Sequence, residues 1–88
     1  MNYASWFDMD SAARYAEFRK HFASLDEVFA NYSVTVTYDQ DEREYVARIE
    51  GDGPKLNVWF GYADSPAEAI YGAAISRIVN IHVKSPSK

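Results

Sequence analysis

The densest charged cluster of the sequence is a run of four carboxylates within six residues: Asp39, Asp41, Glu42 and Glu44. Because strand-like segments precede and follow it, we expect these side chains at the tip of a β-hairpin. A projecting anionic tip can imitate phosphates toward a basic protein that binds nucleic acid. The alternative is a solvated turn without function, since hairpin tips are ordinarily polar. The spacing does not match an EF-hand loop, so we predict no calcium site.

A second candidate surface combines aromatic and cationic side chains. Trp59, Tyr62 and Arg48 belong to residue types that dominate the energetics of many protein interfaces. Strand alternation predicts Trp59 on the same sheet face as Val46 and Arg48, where these residues would form a contact patch for a protein partner. In the alternative interpretation, Trp59 is covered by its own neighbours or by residues 81–83.

Catalytic and metal chemistry have little support in the residue types. The sequence has no cysteine, which excludes disulfides, thiolate metal sites and thiol nucleophiles. Its two histidines, His21 and His82, have no serine or carboxylate at a spacing typical of catalysis. We therefore predict no enzyme activity, no catalytic residue, no metal and no cofactor.

Length and composition predict one folded domain over residues 1–88. The chain is 48% hydrophobic and 16% aromatic, enough for a single core but not for two. Its net charge is −4, and the excess of carboxylates lies in residues 1–53, which hold 11 acidic and 5 basic side chains. No stretch approaches the roughly 20 apolar residues of a membrane span, and the first residues lack the basic region and following apolar run of a signal peptide. We expect a cytoplasmic protein, in a bacterial or infected host cell.

One helix is predicted over residues 10–29. Asp10 is the expected N-cap, because its carboxylate can accept the unpaired N–H groups of the first turn. Ser24 and Glu27 have the spacing of a capping box, so the helix either continues or breaks near Ala23. The apolar side, with residues three and four apart, carries Tyr15, Phe18, Phe22, Leu25 and Phe29.

Three strands are predicted at residues 32–38, 44–50 and 56–60. The first two alternate in polarity around the acidic turn and form a hairpin, and the Gly-Asp-Gly-Pro segment at residues 51–54 separates them from the third. In the third strand, period-two alternation assigns Leu56, Val58 and Phe60 to the core. The opposite face is predicted to carry Ser33, Thr35, Thr37, Glu44, Val46, Arg48, Asn57 and Trp59.

A final helix is predicted to begin at Pro66. Ser65 stands at the N-cap, proline at the first helical position and Glu68 at the third, which completes a capping box. Residues 81–84 either extend this helix or form a short edge strand. The fold class is therefore α+β, in the order α-β-β-β-α, with a three-stranded antiparallel sheet covered on one face by two helices.

This order and the final helix resemble the double-stranded RNA-binding domain. The helix positions that this family fills with serine, small and aliphatic residues are here Ser65, Ala69, Ala73, Ala74 and Ile78. The positions that carry phosphate-binding lysines in the family are here Pro66, Ala67 and Ile70. Phosphate neutralisation supplies most of the affinity of such domains, so this resemblance implies shared packing without RNA affinity.

A second resemblance covers residues 32–78. The Tyr-Val-Ala strand at residues 45–47 follows an acidic turn, and Ala-Asp-Ser-Pro-Ala-Glu-Ala at residues 63–69 opens the final helix. This arrangement is similar to the N-terminal domain of HicB-type antitoxins. The resemblance implies a β-β-β-α core and a non-catalytic domain that binds and blocks a small toxin ribonuclease.

The leading functional hypothesis is a small acidic inhibitor, antitoxin-like or directed against a defence system such as a CRISPR effector, that occludes a nucleic-acid-handling protein. Direct nucleic-acid or membrane binding is not expected. The alternatives are a double-stranded RNA-binding domain and a structural adaptor that forms homodimers through its sheet faces or edges. The predicted partner contacts are Asp39, Asp41, Glu42, Glu44, Arg48, Trp59 and Tyr62.

Overall fold

The computed structural model describes residues 3–51 and 57–79. Within these ranges the α+β class is confirmed: along the chain, N-terminal helices precede a three-stranded antiparallel sheet, and one long C-terminal helix follows it. The helices and strands are α1 Tyr3–Phe7, α2 Ser11–Arg19, α3 Leu25–Asn31, β1 Ser33–Asp39, β2 Glu44–Glu50, β3 Val58–Ala63 and α4 Pro66–Ile78. None of the helices in the described ranges is long and apolar enough to cross a membrane. The predictions for residues 52–56 and 80–88 lie outside the described residues.

The helix predicted over residues 10–29 is broken in two. The Asp10 cap is confirmed, since its carboxylate accepts a 2.8 Å hydrogen bond from the Ala13 N–H. Of the two versions left open, the break near Ala23 is the one observed: Ser24 has an extended backbone and begins α3. The Ala23 N–H donates to Glu27 Oε1 at 3.0 Å, so the glutamate closes the new helix start.

The N-terminal segment packs back on the core through α1. Trp6 is 2% exposed and forms a small cluster with Ile75. Arg14 fastens the segment to α2, because its guanidinium donates to the Trp6 carbonyl at 3.1 Å and to the Phe7 carbonyl at 3.3 Å. This arrangement buries a large aromatic ring that the amphipathic pattern of α2 alone does not provide.

The sheet has the order β1-β2-β3 with a continuous register. Because side chains alternate between the faces, Val36, Ala47 and Gly61 lie side by side under the helices, and the neighbouring row Thr35, Arg48 and Phe60 lies on the opposite face. The described helices cover only the first of these faces. We call the second the open face; it carries Ser33, Thr35, Thr37, Val46, Arg48, Glu50, Phe60 and Tyr62, together with Val58, which is buried.

The predicted orientation of β3 is wrong. Trp59 pairs with Ile49 on the helix side and is 5% exposed in the main core, so it does not lie on the open face. Asn57 shares its parity, whereas Val58 and Phe60 lie on the opposite side of the sheet, where Val58 is nonetheless buried at 7% exposure. The physical reason is Gly61: it must face α4 because only a residue without a side chain fits there, and the two-residue period then turns Trp59 inward.

The contact between β3 and α4 is backbone against backbone. A Cβ atom on Gly61 would collide with the Ala69 carbonyl oxygen and the Ala73 nitrogen, and would lie 2.8 Å from the Gly72 carbonyl carbon. The Ser76 hydroxyl bridges the same contact, 3.1 Å from the Phe60 carbonyl oxygen and 2.9 Å from that of Gly72. The start of α4 at Pro66 is confirmed, with Ser65 Oγ accepting from the Glu68 N–H.

We predict that Gly61→Ala destabilises the fold strongly and that Gly72→Ala does not. The first substitution forces α4 off the sheet, which should lower the free energy of unfolding by about 3 kcal/mol or prevent folding. In the second, the nearest atom outside the helix lies 3.4 Å from the new Cβ, an ordinary contact, and the gain in helix propensity is at most about 1 kcal/mol. Urea unfolding followed by tryptophan fluorescence measures both. Equal effects of the two substitutions would contradict the backbone contact.

Candidate partner-binding face

The acidic tip of the β1–β2 hairpin is built by its own carboxylate. Asp39 Oδ1 accepts hydrogen bonds from the Asp41 N–H at 3.0 Å and the Glu42 N–H at 3.2 Å, which folds the chain into a turn. Arg43 then takes a left-handed backbone, with φ of 55°, and returns the chain to β2. Asp39 therefore has a structural role, whereas the side chains of Asp41 and Glu42 project into solvent.

Five carboxylates gather at this end of the sheet, which we call the acidic end: Asp39, Asp41, Glu42, Glu44 and Asp64. The last of these was not predicted, because it follows β3 and is distant in sequence. The register places Asp64 one position beyond the Tyr45–Ala63 pair, next to Glu44. Burial raises the pKa of Glu44, and the negative charges of Glu42, Asp39 and Asp64 raise it further.

Glu44 combines burial with repulsion from its neighbours. Its Oε1 atom is buried without a hydrogen-bond partner among the described residues. The pKa shift and the unsatisfied oxygen have the same cause: the carboxylate is partly removed from water and lies among like charges, and the described residues place no cation opposite it. The acidic end is thus held in a state that a nearby positive charge would stabilise.

The open face joins this acidic end to an aromatic patch. Phe60 and Tyr62 lie next to Arg48 and Val46 in the adjacent strand, all at least partly accessible to solvent. Arg48 forms an ion pair with Glu50 at 2.8 Å. Among the described residues, the open face and the acidic end together carry six carboxylates and two guanidinium groups, those of Arg43 and Arg48.

Six of the seven predicted contact residues lie on this surface. Asp39, Asp41, Glu42 and Glu44 form most of the acidic end, and Arg48 and Tyr62 lie on the open face. Trp59 is the exception: it lies in the core, where the Arg77 guanidinium covers its ring at 5.6 Å. Phe60 takes the position predicted for Trp59, and the signal that identifies it is the parity set by Gly61.

The basic side chains of the helical layer do not form a common cleft. Arg14 lies 3.8 Å from Glu68, Lys20 pairs with Glu17 at 3.1 Å, and the Arg19 guanidinium donates to the Tyr15 hydroxyl at 3.0 Å. Each of these three cations therefore has different partners: Arg14 contacts α1 and α4, and Lys20 and Arg19 contact two separate residues of α2. Among the described residues, no group of three or more histidine, aspartate or glutamate side chains is arranged to hold a metal ion.

Comparison with protein-family models, with curated proteins and with solved structures gave no match to this chain. The resemblances to HicB-type antitoxins and to double-stranded RNA-binding domains therefore stay predictions.

Arg43→Gly should stabilise the hairpin. A residue with a Cβ pays roughly 1 kcal/mol in the left-handed region that glycine adopts freely, so glycine at this position should raise the free energy of unfolding by up to about that amount. Arg43→Ala is the matched control, because it removes the same charge and keeps the Cβ. Thermal unfolding of the two variants compares them directly, and an equal gain in both would assign the effect to charge.

Glu44→Gln should stabilise the protein at pH 7. A raised pKa in the folded state means that ionisation of Glu44 opposes folding; this penalty is present above the raised pKa and vanishes below the ordinary value of 4.5. The gain should therefore be present at neutral pH and disappear as the pH falls below that value. Chemical unfolding measured at about pH 3 and about pH 7 shows whether the gain disappears at the lower pH.

Glu17→Gln is a control for which we expect a change in stability of the opposite sign. The hydrogen bond from Lys20 lowers the pKa of Glu17, with a further contribution from His21. Its ionised form stabilises the fold above the ordinary value of 4.5, and this is lost as the pH falls through the lowered pKa. Glu17→Gln should thus destabilise the protein at pH 7, by less than about 1 kcal/mol because the pair is at the surface. A change in the free energy of unfolding with the same sign for Glu44→Gln and Glu17→Gln would contradict the environments described for these two carboxylates.

Proposed function

We propose that the protein is a non-catalytic binding module that occludes a basic, nucleic-acid-handling protein through its open face and acidic end. The observation that carries the proposal is the continuity of five carboxylates with the aromatic side chains of Phe60 and Tyr62. Carboxylates steer a basic partner to the surface, and aromatic rings supply the area that is removed from water on docking. The setting we propose is a bacterial or phage inhibitor, antitoxin-like or anti-defence, whose partner is a nuclease or a CRISPR effector.

The electrostatic state of Glu44 supports a cationic partner. Burial is the largest cause of its raised pKa, and repulsion by Glu42, Asp39 and Asp64 adds to it; lysine or arginine side chains on a docked partner would offset this repulsion. A polar but electrically neutral partner would leave this repulsion in place. The charge of the surface therefore favours a protein that ordinarily binds phosphates.

Direct binding of nucleic acid is the competing function, and the same surface argues against it. Affinity for duplex RNA depends on cations that neutralise phosphates. The described part of the open face offers Arg48, which is paired with Glu50, beside the carboxylates of the acidic end. Phosphates brought to this surface would meet net repulsion.

The test is capture of a partner from bacterial lysate by wild-type protein, followed by measurement of its affinity for charge-reversed variants. The informative variant is Asp41→Lys with Glu42→Lys, because both side chains are exposed and Asp39 keeps its role in the turn. We expect one dominant basic partner whose affinity falls at least tenfold, about 1.4 kcal/mol, in this variant and falls with added salt. Asp8→Lys with Asp26→Lys is the matched control, since it makes the same change in net charge on the helical side and should retain binding.

Two outcomes would contradict the proposal. Equal loss of affinity in both double variants would show that net charge alone matters and that the acidic end is not the contact. Tight, salt-sensitive binding of duplex RNA in a low-salt gel shift would favour the RNA-binding alternative instead.

A further inference from the structure

Among the described residues, nothing protects the outer edge of β1. β1 is the terminal strand of the sheet, seven residues long, and it pairs with β2 without a bulge. Its sequence Ser-Val-Thr-Val-Thr-Tyr-Asp has high strand propensity and contains neither lysine nor proline. Soluble proteins usually protect such edges with charges, proline, bulges or a covering segment, because an open edge pairs with other strands.

Backbone hydrogen bonds alternate in direction along each strand, and this alternation shows which N–H and C=O groups the outer edge of β1 presents. The Gly51 N–H donates to the Asn57 carbonyl at 2.9 Å, so the odd-numbered residues of β2 direct their backbone groups toward β3. The even-numbered residues of β2 therefore bond to β1, and their partners there are Ser33, Thr35, Thr37 and Asp39. The residues between them, Val34, Val36 and Tyr38, direct their N–H and C=O groups outward.

The outward groups are available in the described structure. Among the described residues, the backbone groups of Val34, Val36 and Tyr38 form no hydrogen bond to a turn, a loop or a helix end. Tyr38 is 51% exposed, and Thr35 and Thr37 are exposed as well. This edge can therefore accept a further strand without displacing a described segment.

We propose that the occupant is β1 of a second copy of the chain, paired antiparallel about Val36. This two-fold arrangement is isologous, so each pair occurs twice except the central one. Val36 faces its own copy, Val34 faces Tyr38, and Thr35 faces Thr37. Pairs of β-branched residues, of aromatic with β-branched residues, and of threonines are the ones that stabilise antiparallel strands, so the edge is complementary to itself.

Charge complementarity supports the same register. The pairing places the acidic tip that follows Asp39 of one copy at the beginning of β1 of the other. Arg77 lies at that beginning, with its guanidinium 5.9 Å from the centre of the Tyr32 ring. The two acidic tips point away from each other, and each approaches Arg77 of the other copy; Glu50 lies at the same end, opposite Ser33, but its charge is paired with Arg48.

The two-fold axis of this dimer runs perpendicular to the sheet. Both open faces then lie on one side of a continuous six-stranded sheet, and both helical layers lie on the other. The inference goes beyond the proposed function, because the dimer does not require a partner protein, and it predicts that any partner meets two equivalent sites.

The experiment is sedimentation equilibrium of the full chain with two charge variants of β1. Wild-type protein should show a monomer–dimer equilibrium. Thr35→Lys with Thr37→Lys places lysines opposite each other across the axis and should raise the dimer dissociation constant at least about tenfold. Thr35→Lys with Thr37→Glu is the matched control: lysine then faces glutamate in both copies, and dimerisation should be retained. All four substituted side chains replace exposed threonines, so the monomer should fold in each case.

Two further measurements separate the β1 edge from other dimer surfaces. Phe60→Thr should leave an edge-paired dimer intact but would weaken a dimer formed by open faces. Amide hydrogen exchange of Val34, Val36 and Tyr38 should slow as protein concentration rises. A wild-type chain that stays monomeric at millimolar concentration, a dimer equally insensitive to both charge variants, or a dimer broken by Phe60→Thr would each overturn the proposal.

Discussion

The close approach of α4 to β3 at Gly61 determines most of the other features of this protein. With no side chain at that position, the helix backbone lies directly on the strand, and the Ser76 hydroxyl bridges the two main chains. The helix can then cover the middle of the sheet with small residues, Ala69, Ala73 and Ala74, all fully buried. The same contact fixes the parity of β3, and this parity decides which aromatic rings enter the core and which remain on the open face.

The parity of β3 also explains what the sequence could and could not predict. The alternation of β1 separates hydroxyl from apolar residues, so its faces are assigned unambiguously. β3 reads Val-Trp-Phe-Gly-Tyr-Ala, which is apolar on both faces, and period-two alternation therefore does not distinguish them. The two faces are distinguished only by the lack of space for a side chain at Gly61. That lack of space is caused by residues of α4 that lie eight or more positions later in the chain. The predicted position of Trp59 is wrong for this reason, whereas the predicted start of α4, which depends on local capping residues, is confirmed.

The acidic end illustrates the same division between local and long-range information. Asp39, Asp41, Glu42 and Glu44 are close in sequence, so a hairpin prediction suffices to bring them together. Asp64 joins them only because β3 pairs with β2 in the observed register. Its charge contributes to the raised pKa of Glu44, so the electrostatic conflict at this end of the sheet is a tertiary property that a count of neighbouring carboxylates underestimates.

Edge pairing would change the geometry that a partner protein meets. Asp39 lies three residues from Val36, about 10 Å along an extended strand, so a dimer about Val36 would separate the two acidic ends by about 20 Å in the strand direction. Both ends would flank one uninterrupted open face. A partner with two basic patches at that separation could engage both copies at once, and the second contact would then form at a high effective concentration. Weak individual contacts, as expected for a small surface with few cations, would in this way add to a stable complex.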